Sequence, residues 1–388
     1  MRSLTWATKA PRRIPDLTFP STRSAYDSGM PTLPFTAPLE PMLAKAATTL
    51  PTGDGWFYDP KWDGFRALVF VDDDGLLLQS RDTKPLNRYF PELESALASG
   101  LKTPCVLDGE IVIVGASGLD FDALLQRIHP AASRVQMLAR TTPAAFVAWD
   151  LLALGNEDLR EQPMEFRRGQ LEKLLGNAVA PLYLSPVTRD VAQAQDWFDR
   201  FEGAGLDGVM AKRADSPYRA GERTMLKLKH KRTADCVVAG FRWHRNGQGT
   251  LIGSLLLGLF DAAGVLHHVG VTAAFTTVMR KQLVAELAPL RENAFESHPW
   301  RNWESAAADS TQRMPGATSR WSAGKDLGWE PLRPERVCEV AFDQMQGDRL
   351  RHGAQFVRWR PDKPPEQCRY DQLEAAVPYE LKRVFEAG

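Results

Sequence analysis

The chain has 388 residues, with 48 basic and 48 acidic side chains and a pI near 7.1. The length exceeds one usual core and predicts two domains, and the zero net charge excludes a scaffold that binds polyanions by overall charge, so a nucleic-acid partner needs local basic patches. Four dispersed cysteines, Cys105, Cys236, Cys338 and Cys368, indicate neither a zinc ribbon nor a disulfide framework and fit a reducing, cytoplasmic setting, and no apolar run is long enough to span a bilayer.

Residues 1–35, rich in Pro, Ser, Thr and Arg without periodicity, read as a flexible leader, with Met30 as an alternative start. Trp56 to Tyr58 then reads as a strand that runs into Lys61-Trp62-Asp63-Gly64-Phe65-Arg66. A lysine attacks an electrophile only as the neutral amine, so a nucleophilic lysine needs desolvation or nearby cations to favour that form. Gly64 would let a ligand approach the backbone, and Arg66 offers planar donors to ribose or phosphate. Alone, the hexapeptide reads first as a solvated turn between two strands.

Residues 66–71 and 76–80 flank the acidic turn Asp72-Asp73-Asp74-Gly75 as a hairpin, with Arg81 at its end as a solvated rim charge or a specific contact. Pro91 opens and Gly100 closes a helix, and Val106 to Val114 is a strand with Asp108 and Glu110 on one face. Val112 and Val114 continue that face, which favours a ligand-facing role over full solvation. In the strand 145–152, Trp149 is a core residue or an indole that stacks on a base. A helical pattern through Trp197, Phe198 and Phe201 stops at Gly203 and Gly205, and the strand 206–212 presents Asp207 and Lys212. Alternation in Met225 to Arg232 puts Lys227 and Lys229 on one face, as a strand would deliver two ammoniums to a phosphate chain; a solvated edge strand is the alternative.

Beyond Thr233, strand-like runs near 236–242, 251–260, 265–271, 336–342 and 355–360 surround one helical pattern, Met279, Leu283 and Leu287, and a Trp-rich stretch at 298–330. Five short strands with one helix suit a small barrel of the oligonucleotide-binding type. Arg360-Pro361-Asp362-Lys363 follows, and Leu373, Val377 and Leu381 mark a C-terminal helix. The expected division is a leader at 1–35, a first domain at 36–232 and a barrel domain at 233–388.

The ordered set Lys-Trp-Asp-Gly-Phe-Arg, Ser-Arg, Leu-Asp-Gly-Glu, Trp-Asp, Asp-Gly-Val-Met-Ala-Lys, Leu-Lys-Leu-Lys and Arg-Pro-Asp-Lys resembles the covalent nucleotidyltransferase superfamily, and within it the small bacterial ATP-dependent DNA ligases of the C type. The resemblance implies an α+β fold, in which a nucleotidyltransferase domain (an ATP-grasp-like adenylation domain) precedes an OB-fold β-barrel. It implies that Lys61 attacks the α-phosphate of ATP and becomes the lysyl-adenylate. Arg66 and Glu110 would hold the ribose, Trp149 would stack on adenine, and Lys227 and Lys229 would contact phosphates. Arg81 would grip the 5′-phosphate of a nick, while Arg360, Asp362 and Lys363 would orient pyrophosphate. Asp207 stands where the family usually has a metal-binding glutamate, one methylene longer. The implied cofactors are ATP and Mg²⁺ or Mn²⁺, and the implied partner is nicked duplex DNA, engaged by a monomer in the cytoplasm near the nucleoid. An mRNA-capping guanylyltransferase, an RNA ligase and a catalytically dead nucleic-acid-binding module are the competing readings.

Overall fold

A computed structural model describes residues 33–116, 118–302, 315, 328–351, 353–373 and 379–386. Most of the expected leader, including Met30, lies outside the described residues, as do Val377 and most of the Trp-rich stretch. Leu33 and Phe35, counted in the leader, pack with Phe70.

The first part of the chain is built on two sheets. In the larger one, Gly75–Ser80, Phe65–Asp72, Cys105–Gly115 and Ala144–Leu154 are antiparallel neighbours in that order. Period-2 alternation sends Ala67, Val69, Leu107, Ile111 and Phe146 to one face, under the helices Pro91–Gly100 and Met164–Leu175. Leu68, Phe70, Val106 and Leu152 occupy the opposite face, so these strands are apolar on both sides. That opposite face meets the smaller sheet, ordered Leu43–Ala47, Arg223–Lys229, Gly208–Arg213 and Trp56–Pro60. Asp108 and Glu110 therefore point between two sheets instead of into solvent.

Two glycines fix how the catalytic candidates enter this frame. A Cβ on Gly64 would sit 2.2 Å from the Ile111 carbonyl oxygen, so this glycine serves strand packing and not the close approach of a ligand. Gly208 has φ +136° and would place a Cβ 2.1 Å from the Leu228 carbonyl oxygen, which is why the strand expected from residue 206 begins only at Gly208.

The second part is a five-stranded sheet in the order Leu266–Thr272, Ile252–Phe260, Arg232–Trp243, Glu330–Phe342 and Gln355–Trp359. A bridge between Thr272 and Ala354 joins its two edges and closes the barrel. Leu283 and Leu287 of the helix Thr277–Leu287 cap the interior, and Trp300 is fully buried with its Nε1 donating to the Leu266 carbonyl at 2.9 Å. The described tryptophans of the Trp-rich stretch thus fill the barrel core. The C-terminal helix is shorter than expected, Leu381–Phe385, and Leu373 instead follows a 3-10 turn on the barrel. Pro378 lies between these positions in sequence and disfavours a helix that runs through both. Among the described residues, no helix is long and apolar enough to cross a membrane.

Candidate active site

Between the two sheets of the first part lies an open pocket with about 770 Å³ of free space. It is lined by Lys61, Arg66, Arg81, Glu110, Trp149 and Lys227 of the expected set, together with Trp62, Asp59, Lys212 and Arg223. The lining thus combines indoles and carboxyl groups with several cations.

Lys61 is held by its backbone on both sides. Its N–H donates to the Gly208 carbonyl at 2.8 Å, and its carbonyl accepts from the Asp207 N–H at 2.9 Å. Its Nζ donates to Asp207 Oδ2, and Lys229 Nζ lies 3.2 Å from the same oxygen. Burial opposes the charge on Asp207, yet the two ammoniums hold its carboxyl below the usual range. Asp207 thus pairs with the candidate nucleophile. Among the described residues, no three His, Cys, Asp or Glu side chains cluster as a metal cage. The donor set fits a cation of the Mg²⁺ type only in the manner of one or two carboxylates that share it with substrate phosphates.

Arg66 and Asp108 form a two-pronged ion pair at 3.0 and 2.6 Å, and the Tyr218 hydroxyl donates to the same carboxylate at 2.9 Å. Asp108 is fully buried and outside the pocket lining, which corrects the expectation that it faces a ligand: it fixes the Arg66 fork. Glu110 does face the pocket and accepts from the Gly64 N–H at 3.2 Å. Burial pushes its carboxyl from 4.5 up to about 8, against the charges of Lys61 and Arg66.

Trp149 stands in the middle of Ala144–Leu154, with Arg66 and Lys212 each 5.5 Å from its ring. Its neighbour Asp150 turns the other way and forms a buried pair with Arg167 at 2.8 Å. Lys212, buried and bonded to Asp59 at 2.9 Å, joins the pocket although the sequence reading gave it no role. Period-2 alternation with Met210, which also lines the pocket, was the available signal.

Lys227 reaches the pocket, and burial together with Lys229, Lys61, Arg81 and Arg223 lowers its pKa. Such a crowd of cations favours an anion in their midst. Lys229 lies outside the lining and is shared between Asp207 and Asp343, the latter at 3.0 Å.

Arg360, Asp362 and Lys363 are not in the pocket. Arg360 pairs with Asp362 and Asp235, and Lys363 donates to Asp235 at 2.8 Å. The barrel instead reaches the site through residues the sequence reading missed. Arg351 donates to Asp63 and, at 2.7 Å, to Gln344, while Asp343 meets Lys229 and Gln346 donates to Asp122. Burial and the charge of Asp207 raise the Asp63 carboxyl, and Arg351 works against that rise. No motif marked these residues, because long-range ion pairs leave no periodic trace in sequence.

An aromatic ring, a carboxyl group and several cations lining one pocket fit a nucleoside triphosphate. Comparison with known proteins agrees with that chemistry. Residues 41–229 match the family described as ATP dependent DNA ligase domain, and residues 248–363 match the ATP dependent DNA ligase C terminal region. DNA ligase C of Mycobacterium tuberculosis is 50% identical over 356 residues, covering 91% of this chain and 98% of its own length. DNA ligase C2 of Mycolicibacterium smegmatis is 51% identical over 345 residues, covering 88% and 96%. The solved chain named Pmar-Lig_Pre shares the fold at a TM-score of 0.54 with 16% identity, across 83% of this chain and 68% of that one. The fold is accordingly a nucleotidyltransferase domain followed by an OB-fold domain, and the chain belongs to the ATP-dependent DNA ligases, in their small bacterial form.

Proposed function

We propose that Lys61 carries AMP between ATP and the 5′-phosphate of a nick in duplex DNA, and that the reaction serves DNA repair. The observation that carries this reading is that Lys61, paired with Asp207, lines one pocket together with Trp149, Glu110, Arg81, Arg223 and Lys227. The neutral amine attacks the α-phosphorus, an N–P bond forms, the bond to pyrophosphate breaks and the amine proton is released. An oxygen of the nick's 5′-phosphate then attacks the phosphorus of the phosphoramidate, the N–P bond breaks and Lys61 leaves as the protonated amine; the 3′-hydroxyl, losing its proton, finally attacks the 5′-phosphorus and AMP leaves. Phosphoryl transfer of this kind is mostly positioning and charge neutralisation.

In this reading Trp149 stacks on adenine, Glu110 bonds the ribose and Arg66, fixed by Asp108, borders the sugar. Lys227 takes a phosphate. Lys229 does so once released from Asp343, and Arg81 grips the nick's 5′-phosphate. A divalent cation, Mg²⁺ or Mn²⁺, would neutralise phosphate charge when bound, and Asp207 would be a carboxylate that holds it. Arg360, Asp362 and Lys363 act on pyrophosphate only after the barrel rotates, because Asp235 holds Arg360 and Lys363 on the barrel and Arg360 holds Asp362. The hinge of that motion is His230-Lys231, between the strands Arg223–Lys229 and Arg232–Trp243, and not the segment Arg232 to Asp235, which pairs with Phe342 to Glu339 inside the barrel sheet. We take residues 36–232 and the barrel of 233–388 as the two moving units of a monomer that works in the cytoplasm on nucleoid DNA, with the C-terminal helix Leu381–Phe385 staying on the first unit.

Labelling with α-labelled ATP or GTP in the presence of divalent metal tests the reading. An adduct from ATP alone supports a ligase, and an adduct from GTP alone would favour the capping-type reaction.

A further inference from the structure

The last described residues of the chain leave the barrel and return to the first domain. Gln372 bonds both backbone groups of Asp235, at 2.7 and 3.1 Å, and Leu373 packs on the barrel core. By Tyr379 the chain is on the other domain, its N–H donating to the Gly203 carbonyl at 3.1 Å and its ring 5.5 Å from Phe201. The helix Leu381–Phe385 follows, with Leu381 and Val384 buried and Lys382 and Arg383 exposed. Spacing of three and four residues turns Leu381, Val384 and Phe385 to one face.

That face lies directly behind the nucleophile. Phe385 stacks on Trp62 at 5.1 Å and on Tyr183 at 4.7 Å, both at 27° between ring planes. Trp62 is buried, donates through Nε1 to Ser185 at 2.8 Å, and also lines the nucleotide pocket. The cluster that takes in Leu381 and Val384 also contains Phe201, and Leu206 and Val209 on either side of Asp207. One helix thus backs both segments that meet in the Lys61–Asp207 pair.

We propose that the C-terminal helix is a strap that positions the nucleophile: Phe385, stacked on Trp62, fixes the Lys61 loop against the Asp207 turn from behind. Phe385 touches no substrate and acts through Trp62, so it is a positioning residue. A strap of this kind bears on attack by the Lys61 amine, for which a small displacement is costly, and much less on the final closure, in which the 3′-hydroxyl displaces AMP without that amine. It also ties the barrel to the first domain at a second point beyond the His230-Lys231 connection.

The proposal rests on Lys61 as the adenylated residue, and the experiment keeps the two apart. Full-length wild type, Phe385→Ala, Phe385→Leu and Phe385→Tyr are compared in lysyl-adenylate formation across ATP concentrations and in sealing of a nick that already carries a 5′-adenylate. Phe385→Ala is expected to slow adenylation at saturating ATP about ten-fold, with KM for ATP and sealing of the adenylated nick each within about two-fold of wild type. Phe385→Tyr, which keeps the stacked ring, restores the rate. If circular dichroism shows that the alanine chain does not fold, Phe385→Leu takes its place with the same expectation. A folded variant that adenylates at the wild-type rate, an equal loss in both steps, or failure of both Ala and Leu variants to fold would each overturn the strap. A wild-type chain that forms no adduct would remove the Lys61 assignment and the proposal with it.

Discussion

Arg351, on the barrel, donates to Asp63, two residues beyond Lys61, and so the second domain touches the catalytic loop without its own Arg360 or Lys363 entering the pocket. Phe121 lies under the same guanidinium, 3.5 Å from ring centroid to Cζ, and Asp343 and Gln346 add contacts on either side. This face of the barrel, and not the one that bears Arg360, meets the site in the structure.

The contact predicts coupling between the two residues. Asp63 is largely buried, so removal of Arg351 leaves a desolvated carboxyl group without its counter-ion. A double-mutant cycle of Asp63→Asn and Arg351→Gln should give an interaction of about 0.5–3 kcal/mol in unfolding free energy. X-ray scattering should show a larger radius of gyration for Arg351→Gln than for wild type. Additive effects with unchanged scattering would mean that the pair does not hold the domains together.

Arg360 and Lys363 should matter to one step only. Pyrophosphate leaves during self-adenylation and has no counterpart at closure, so cations aimed at it stabilise that transition state alone. Arg360→Ala and Lys363→Ala should each slow self-adenylation about 100-fold while still sealing a nick supplied with a 5′-adenylate. Normal adenylation with failure on the adenylated nick would place these residues on DNA.

Much of this arrangement was legible in the sequence, because strands with period-2 alternation announce which residues share a face. The strands at Phe65–Asp72, Cys105–Gly115 and Arg223–Lys229 fall where the pattern put them, and Lys61, Glu110, Trp149 and Lys227 meet in one pocket. Alternation does not say what lies opposite a face. Asp108 and Glu110 read alike, yet one meets Arg66 and Tyr218 in the interior and the other opens on the pocket. Similarly, Lys227 and Lys229 share a face, but Lys229 extends past the pocket to Asp207 and Asp343. A C-terminal helix through Leu381 was legible, but its return to the first domain and the contact of Arg351 with Asp63 were not, since contacts across the chain leave no repeat.

Glu110 gives a pH signature. Its folded pKa of about 8 lies above the ordinary 4.5 because burial disfavours the charged form, so the folded chain binds more protons than the unfolded chain between those values. Its contribution to stability is therefore full below 4.5 and is lost as pH rises through about 8. Glu110→Gln mimics the protonated acid and should lose this dependence. Denaturant unfolding of both chains across that window should show wild type falling relative to the glutamine variant as pH rises. A constant difference would mean that Glu110 stays charged throughout.

Asp207 pairs with two ammoniums, so its loss should disturb the nucleophile directly. Asp207→Ala should slow self-adenylation about 100-fold by letting Lys61 drift, whereas Asp207→Glu keeps the charge and should retain activity. A metal titration separates the two roles: if added cation rescues the alanine variant, Asp207 binds metal, and if it does not, Asp207 positions Lys61. Full activity of Asp207→Ala at every metal concentration would remove this residue from the site.

Mapping the adduct tests the central claim most directly. The chain is incubated with α-labelled ATP and divalent metal, resolved on a denaturing gel and digested for mass analysis. The account predicts AMP on Lys61 alone and no adduct on Lys61→Arg, since a guanidinium stays protonated although it keeps the charge. An adduct on any other lysine, or undiminished labelling of Lys61→Arg, would contradict it.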